Sequence, residues 1–269
     1  MYDSFQRSTF IANYSWSMVD RYIYKKISEH FPYRPTEEQQ KAIAAIAAFA
    51  ADTAPRSLLI IKGYAGTGKT SVLGAVVKAL HAMERPSVLL APTGRAAKVF
   101  AEYAERDAFT IHKKIYRQKS FSNDFGSFSL GKNLQKNTLF IVDEASMISN
   151  ESAGANAFGS GHLLDDLIEY IYEDGQGCRL ILSGDSAQLP PVMLRESPAL
   201  SAERLRAYGM EVREVSLTQV VRQDVDSGIL FNATLIRNGL RNSETARFPV
   251  LRVQAFADIQ KVTGEDLIE

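Results

Sequence analysis

The sequence predicts an α/β fold in which a mostly parallel β-sheet carries helices on both faces. Two observations lead there. Short, purely apolar runs alternate with helix-length stretches along the chain, as expected of strands buried on both sides. The segments rich in glycine, acids and amides follow those runs, at the carboxyl ends of strands, where open α/β sheets place ligands.

Thr36-Glu37-Glu38-Gln39 reads as a helix start, a threonine N-cap with acids in the first turn before a long Ala/Ile run. Strands are expected at Leu58–Ile61, Val88–Leu90, Leu139–Val142, Leu180–Leu182 and Val212–Leu217, with helices near 69–83, 94–105, 162–173, 198–208 and 227–240. Residues 1–35 are rich in aromatics (Phe5, Phe10, Tyr14, Trp16, Tyr22, Tyr24, Phe31, Tyr33) and form an extension expected to pack on the following domain. Residues 117–137 alternate Phe with Ser, Gly and Lys and predict a small hairpin insertion. Residues 149–161 are small and polar, and read as a loop.

Lys plus Arg and Asp plus Glu both number 31, a net charge of zero. That balance argues against coating nucleic acid by bulk charge and leaves room for a local basic groove. The single cysteine, Cys178, excludes an internal disulfide and reads as a buried thiol ahead of a strand. His30, His81, His112 and His162 lack metal-ligand spacing. The start of the chain has no secretory pattern. The longest apolar run, Ala42 to Ala51, is about half a membrane span. A soluble cytoplasmic monomer with no membrane partner is expected.

Gly63-Tyr64-Ala65-Gly66-Thr67-Gly68-Lys69-Thr70 fits G-x-x-x-x-G-K-[ST] between a strand and a helix. Its glycines let backbone N–H groups curl around phosphate oxygens at a helix N-terminus. Gly63, Ala65, Gly66, Thr67, Gly68, Lys69 and Thr70 are thus expected to bind ATP. Lys69 would reach the β- and γ-phosphates and the Thr70 hydroxyl would ligate Mg²⁺. Leu139-Phe140-Ile141-Val142 ends in Asp143-Glu144, and a charge at a buried strand end needs a partner. Asp143 is expected to hold the Mg²⁺ shell and Glu144 to orient or deprotonate water; the bland alternative is an acidic strand cap.

With Ala91-Pro92-Thr93-Gly94-Arg95-Ala96-Ala97, Thr110-Ile111-His112, Asp143-Glu144-Ala145-Ser146-Met147 and Gly184-Asp185-Ser186-Ala187-Gln188-Leu189-Pro190-Pro191-Val192, the chain resembles superfamily 1 DNA helicases of the RecD-like and Dda-like branch. The likeness covers roughly residues 36–240. It implies a RecA-like P-loop NTPase domain over 36–210 and the start of a second motor domain over 211–269. It implies ATP and Mg²⁺ as cofactors, and single-stranded DNA, or duplex DNA with a single-stranded tail, as partner, with 5′→3′ movement.

By the same resemblance Gln39 reads the adenine edge, Gln188 senses the γ-phosphate, and Arg222, in Leu217-Thr218-Gln219-Val220-Val221-Arg222, reaches the ATP site from the second domain. Pro92, Thr93, Gly94, Thr110 and His112 contact DNA, with Lys98, Lys113, Lys114 and Arg117 along the same groove. Residues 117–137 fall where a strand-separating hairpin is inserted. From the residues alone Gln39 reads as a solvated side chain, Gln188 as part of a turn before Pro190, and His112 as a packed or capping histidine. No TxHxxQG-like element follows Arg222, so the second domain is expected to be incomplete. A stand-alone ATPase similar to PhoH-like proteins, and a nucleotide-gated DNA-binding module with little turnover, remain alternatives.

Overall fold

The computed structural model describes residues 16–118, 128–150, 158–173, 175–191, 194, 196–221, 227–241, 250–253 and 256–262. Its centre is one six-stranded sheet with the order β3-β2-β6-β7-β1-β8, every adjacent pair parallel. The strands are β1 (Ser57–Gly63), β2 (Ser87–Ala91), β3 (Ala108–Thr110), β6 (Leu139–Val142), β7 (Arg179–Gly184) and β8 (Glu211–Leu217). This is the RecA-like α/β arrangement, with β7 lying between the phosphate-loop strand β1 and the Asp-Glu strand β6.

The unbroken apolar strands serve two cores. Leu59, Ile61, Leu89, Ile141 and Ile181 face helices α1 (Met18–His30), α2 (Glu37–Ala51), α3 (Lys69–Ala82) and α4 (Gly94–Ala104). Leu58, Ile60, Leu90, Phe140 and Leu182 face α5 (Ile111–Ile115), α6 (Leu163–Tyr172) and α7 (Ala202–Ala207). Alternate residues therefore point to opposite faces, the period-2 geometry of a strand covered on both sides. In the extension, Ile23, Tyr24, Ile27 and Phe31 join the first core. Residues from 17 onward thus fold as part of the domain.

Glycine allows α3 and α4 to approach closely: a Cβ on Gly74 would lie 2.7 Å from the Tyr103 carbonyl oxygen. The end of α2 has no basic residue in its own last turn. Arg179 of β7 supplies the donors instead, to the carbonyls of Phe49 and Ala50. Cys178 is buried and its thiol lies 3.4 Å from the Gln135 carbonyl oxygen.

Two expectations change. β8 pairs with β1 along its length and the first compact unit runs to Gln219, so the boundary drawn at 210 moves past the strand. β8 is half-exposed because it is an edge strand, and it is the strand expected at Val212–Leu217. The helix expected over 198–208 is a 3₁₀ turn, Pro198–Leu200, followed by α7, with Ser201 between them in an extended conformation. In the insertion, β4 (Tyr116–Gln118) and β5 (Phe128–Leu130) form an antiparallel pair. Its tip, with Phe121 and Phe125, lies outside the described residues, as does most of the 149–161 loop.

The second unit, Val220–Glu269, holds α8 (Gly228–Arg241). Ser227 caps it, and Asp258 accepts from the Ser227 hydroxyl and the Gly228 N–H, both at 2.7 Å. Asn232 bonds the backbone of Gly228 and Arg252.

Gly74→Ala forces Cβ into backbone and should lower stability by about 1–3 kcal/mol. Gly94→Ala meets open space and should be neutral or stabilising by up to ~1 kcal/mol. Urea denaturation of the two variants checks the contrast.

Candidate functional site

The site grows from the carboxyl ends of β1, β6 and β7. After Gly63 the chain turns through positive φ at Gly66 (78°) and Gly68 (84°), a region that glycine enters without a Cβ clash. Gly68 is the N-cap of α3 and offers no side-chain cap, so the first-turn N–H groups are open to an anion. Lys69 is 8% exposed. Its ammonium donates to the carbonyls of Gly63 (2.7 Å) and Tyr64 (3.0 Å), folded over the loop that it would leave to meet a phosphate.

Thr70, on the first turn of α3, donates its hydroxyl to Asp143 Oδ2 at 2.7 Å. The other carboxylate oxygen of Asp143 accepts from the Ser183 hydroxyl and the Glu144 N–H, each at 3.0 Å. Asp143 is 3% exposed, so these three donors are what allow a carboxylate to sit at the end of a wholly apolar strand. The Thr70 and Asp143 oxygens, side by side beneath the phosphate loop, fit Mg²⁺, which takes few protein oxygens and completes its shell with phosphates and water.

Glu144 adopts φ 56°, a left-handed conformation rare outside glycine. It carries a buried oxygen, Oε2, with no hydrogen-bond partner among the described residues. Burial pushes its carboxyl above the ordinary glutamate range, and Asp143 and Asp185 push further, against Lys69 and Gln188 pulling down. Gln188 lies in a turn in which Asp185 accepts from the Ala187 N–H at 2.8 Å, and its Oε1 accepts from the Ser146 hydroxyl at 3.0 Å. The end of β7 comes this close because position 184 is glycine: a Cβ there would lie 2.8 Å from the Ser146 nitrogen.

Gln39 is buried and both ends of its amide are held by the protein. Oε1 accepts from the Thr36 N–H (3.0 Å), completing a capping box, and Nε2 donates to the Thr67 carbonyl (3.0 Å). The residue expected to read adenine therefore braces the phosphate loop, and a base would have to replace one of those bonds.

The residues expected to contact DNA gather at the β2–β3 edge, where Ala91 pairs with Thr110. Thr93 caps α4 by accepting from the Ala96 N–H, and Thr110 caps α5 through the Lys113 N–H, both at 3.2 Å. Pro92 and Gly94 flank Thr93, and Gly94 is exposed. The His112 ring packs between Tyr116 (5.7 Å) and Phe158 (5.1 Å), and burial lowers its pKa. Lys113 and Lys114 lie over Phe109, and Arg117 donates to nearby backbone carbonyls. Phe128 packs against Phe158 at 4.4 Å. Arg222 lies outside the described residues.

Two participants are not apparent from sequence alone. Ser183 differs only in polarity from the Leu180–Leu182 run before it, and that polarity at a buried strand end is its signal. Glu38 accepts from the N–H and hydroxyl of Thr218 and the N–H of Gln219, although an acid in a first helical turn is expected anyway on dipole grounds.

The AAA domain family matches residues 34–249. The chain belongs to this family. The RecD2 ATP-dependent DNA helicase of Deinococcus radiodurans is 29% identical over 64% of the chain and 21% of its own length. The conjugation protein TraI of Escherichia coli is 29% identical over 71% of the chain and 10% of its own length. The chain thus spans about a fifth or less of these relatives. Among solved structures, the Pif1 helicase of Candida albicans aligns over 82% of the chain and 50% of its own, at TM-score 0.48 and 19% identity. In sequence this AAA domain is similar to part of helicases of the RecD and Pif1 kind, among them a PIF7 ATP-dependent DNA helicase of Trypanosoma brucei, 32% identical over 51% of the chain. Among the described residues of the chain no helix is long and apolar enough to cross a membrane.

A carboxyl whose pKa is raised on folding favours the folded state below its unfolded pKa, and that contribution disappears as pH rises through the raised value. Glu144→Gln removes the buried charge, so it should raise the urea midpoint over wild type at pH 7.5, with the difference vanishing towards pH 4. Equal midpoints at both pH values would show that the Glu144 carboxylate is not under this penalty.

Proposed function

We propose that the chain binds Mg-ATP in the 63–70 loop and acts as the nucleotide-hydrolysing part of a motor that moves along single-stranded DNA. The observation that supports this reading is the contact of Thr70 with Asp143 on the turn that Lys69 begins, an arrangement suited to holding metal, phosphate and water together. Lys69 would exchange its two loop carbonyls for β- and γ-phosphate oxygens. Thr70 and Asp143 would hold Mg²⁺, which supplies Lewis-acid stabilisation of phosphoryl charge when bound. Glu144, with its raised pKa and an unpaired buried oxygen, is suited to orient and accept a proton from water. Gln188 would report the γ-phosphate through Ser146, and Arg222 would add cationic charge during transfer.

DNA would run past the β2–β3 edge, with Pro92, Thr93, Gly94, Thr110 and His112 nearby. Each threonine hydroxyl accepts a capping N–H and keeps its O–H, so the hydroxyls and the backbone N–H groups at these helix starts would both serve as phosphate donors. The preferred substrate is single-stranded DNA or duplex DNA with a single-stranded tail, travelled 5′→3′ by a monomer in the cytoplasm. The hairpin would serve as a strand-separating wedge. Phe128, which packs inward against Phe158, would support its base rather than present itself to the duplex.

Lys69→Ala should weaken Mg-ADP binding by about 10–100-fold, the loss expected for a charge-assisted phosphate contact, without lowering the melting temperature. Calorimetry on the folded variant checks this, and unchanged affinity would remove the phosphate-loop assignment. Asp143→Ala should in addition reduce the dependence of binding on Mg²⁺, while Glu144→Gln should keep both affinity and metal dependence. An equal loss of metal dependence in the two variants would contradict the division of roles.

A further inference from the structure

Glu38 is not accounted for by nucleotide chemistry, yet its carboxylate takes three hydrogen bonds from residues 180 and 181 positions further along the chain. Thr218 donates its N–H and, at 2.6 Å, its hydroxyl; Gln219 donates its N–H at 2.7 Å. A solvated acid at a helix start would leave those donors to water. Burial by itself would raise the Glu38 carboxyl, but the Thr218 and Gln219 hydrogen bonds, with the charge of Lys41, more than reverse this and hold it below the ordinary glutamate range. The partners follow β8 directly, where the chain leaves the sheet.

The neighbouring contacts close a circuit. Gln39, the next residue of α2, holds the Thr67 carbonyl of the phosphate loop. At the other end of that loop the Tyr64 N–H donates to the Leu217 carbonyl at 3.3 Å, and Gly63 lies so close to Leu217 that an added Cβ would sit 3.0 Å from it. Lys69 donates to the carbonyl of the Gly63–Tyr64 peptide itself and to that of the next peptide, Tyr64–Ala65. A phosphate that draws Lys69 away therefore frees the peptide whose N–H meets the end of β8. The exit of the chain is thus held from two sides, by the phosphate loop and by the start of α2.

We propose that Glu38 is a positioning residue that joins the state of the phosphate loop to the path of the chain leaving β8. This rests on nucleotide binding at residues 63–70, as proposed above. Glu38 touches neither nucleotide nor metal in this scheme. It gives the Thr218–Gln219 backbone a fixed point, so that a change at Tyr64 and Leu217 is passed onward along the chain.

The test is amide hydrogen exchange of the 269-residue chain with and without saturating Mg-ADP, read at Thr218 and Gln219, beside calorimetry. In wild type, Mg-ADP should change the exchange of both amides by about threefold or more. Glu38→Gln retains one acceptor oxygen of two, so basal exchange there should quicken by about tenfold, the loss of a hydrogen bond to a charged group. The response to Mg-ADP should be lost, while Mg-ADP affinity stays within about threefold of wild type, the error expected for a residue outside the binding contacts. Thr218→Val removes only the hydroxyl donor and should blunt the response partway, which keeps the test decisive if Glu38→Gln folds poorly. A wild-type chain that binds Mg-ADP with no change at these amides overturns the inference, as does a Glu38→Gln or Thr218→Val chain that responds as fully as wild type. Absence of Mg-ADP binding in wild type overturns the nucleotide reading itself, a result that calorimetry separates from the others.

Discussion

A carboxylate cannot stay at the buried end of an apolar strand unless donors meet it, and Asp143 is where this chain satisfies that requirement. Thr70 reaches it from α3, Ser183 from β7, and the Glu144 N–H from the turn that follows β6. One buried carboxylate thereby fixes the spacing of two strand ends, those of β6 and β7, and sets the start of α3 against β6. Removing one donor would cost about 1.5–3 kcal/mol, the worth of a hydrogen bond to a charged group, so the same bonds that suit a metal shell also hold these strand ends together. Parallel strands make this possible, because only they bring successive carboxyl ends to one side.

Around that anchor the site is built from backbone that the sheet does not stabilise. Gly66, Gly68 and Glu144 all take positive φ, and only for the glycines is this free of a side-chain clash. The strain at Glu144 is balanced by the short turn Ala145–Met147 that it begins and by the close passage of Gly184. The first turn of α2 then braces the loop from outside: Thr36 and Gln39 cap one another, Gln39 reaches Thr67, and Glu38 reaches the end of β8. A helix that on composition is a plain alanine-rich packing element thus carries the contacts that locate a glycine loop.

Much of this was legible in the residues. The apolar runs from Leu58 to Leu182 became central strands because their burial on both faces leaves no polar alternation to misread. Gly63–Thr70 and Asp143-Glu144 lay at the strand ends that their chemistry demands. Legibility failed where one residue type serves two purposes. The mixed Glu211–Leu217 segment read as the beginning of another domain because an edge strand is allowed polar residues on its open side. Thr93 and Thr110 suit a phosphate and an N-cap equally well, and in the fold they cap. His112 is packed, as the residues alone suggest, but one of the rings against it, Phe158, arrives from a segment 46 positions away. The Gln39 amide needed Thr67 in place before its second bond was visible.

The central claim is that Thr70 and Asp143 form a metal seat beneath a phosphate loop whose lysine changes partners. A crystal structure of the chain with ADP and Mn²⁺, the metal located by its anomalous scattering, tests this most directly. The account predicts metal density next to the Thr70 hydroxyl on the Asp143 side, the β-phosphate within the first turn of α3, and the Lys69 ammonium moved from the Gly63 and Tyr64 carbonyls to phosphate oxygens. A nucleotide bound elsewhere, or one in the loop with Lys69 still on those carbonyls and the metal away from Asp143, would contradict it.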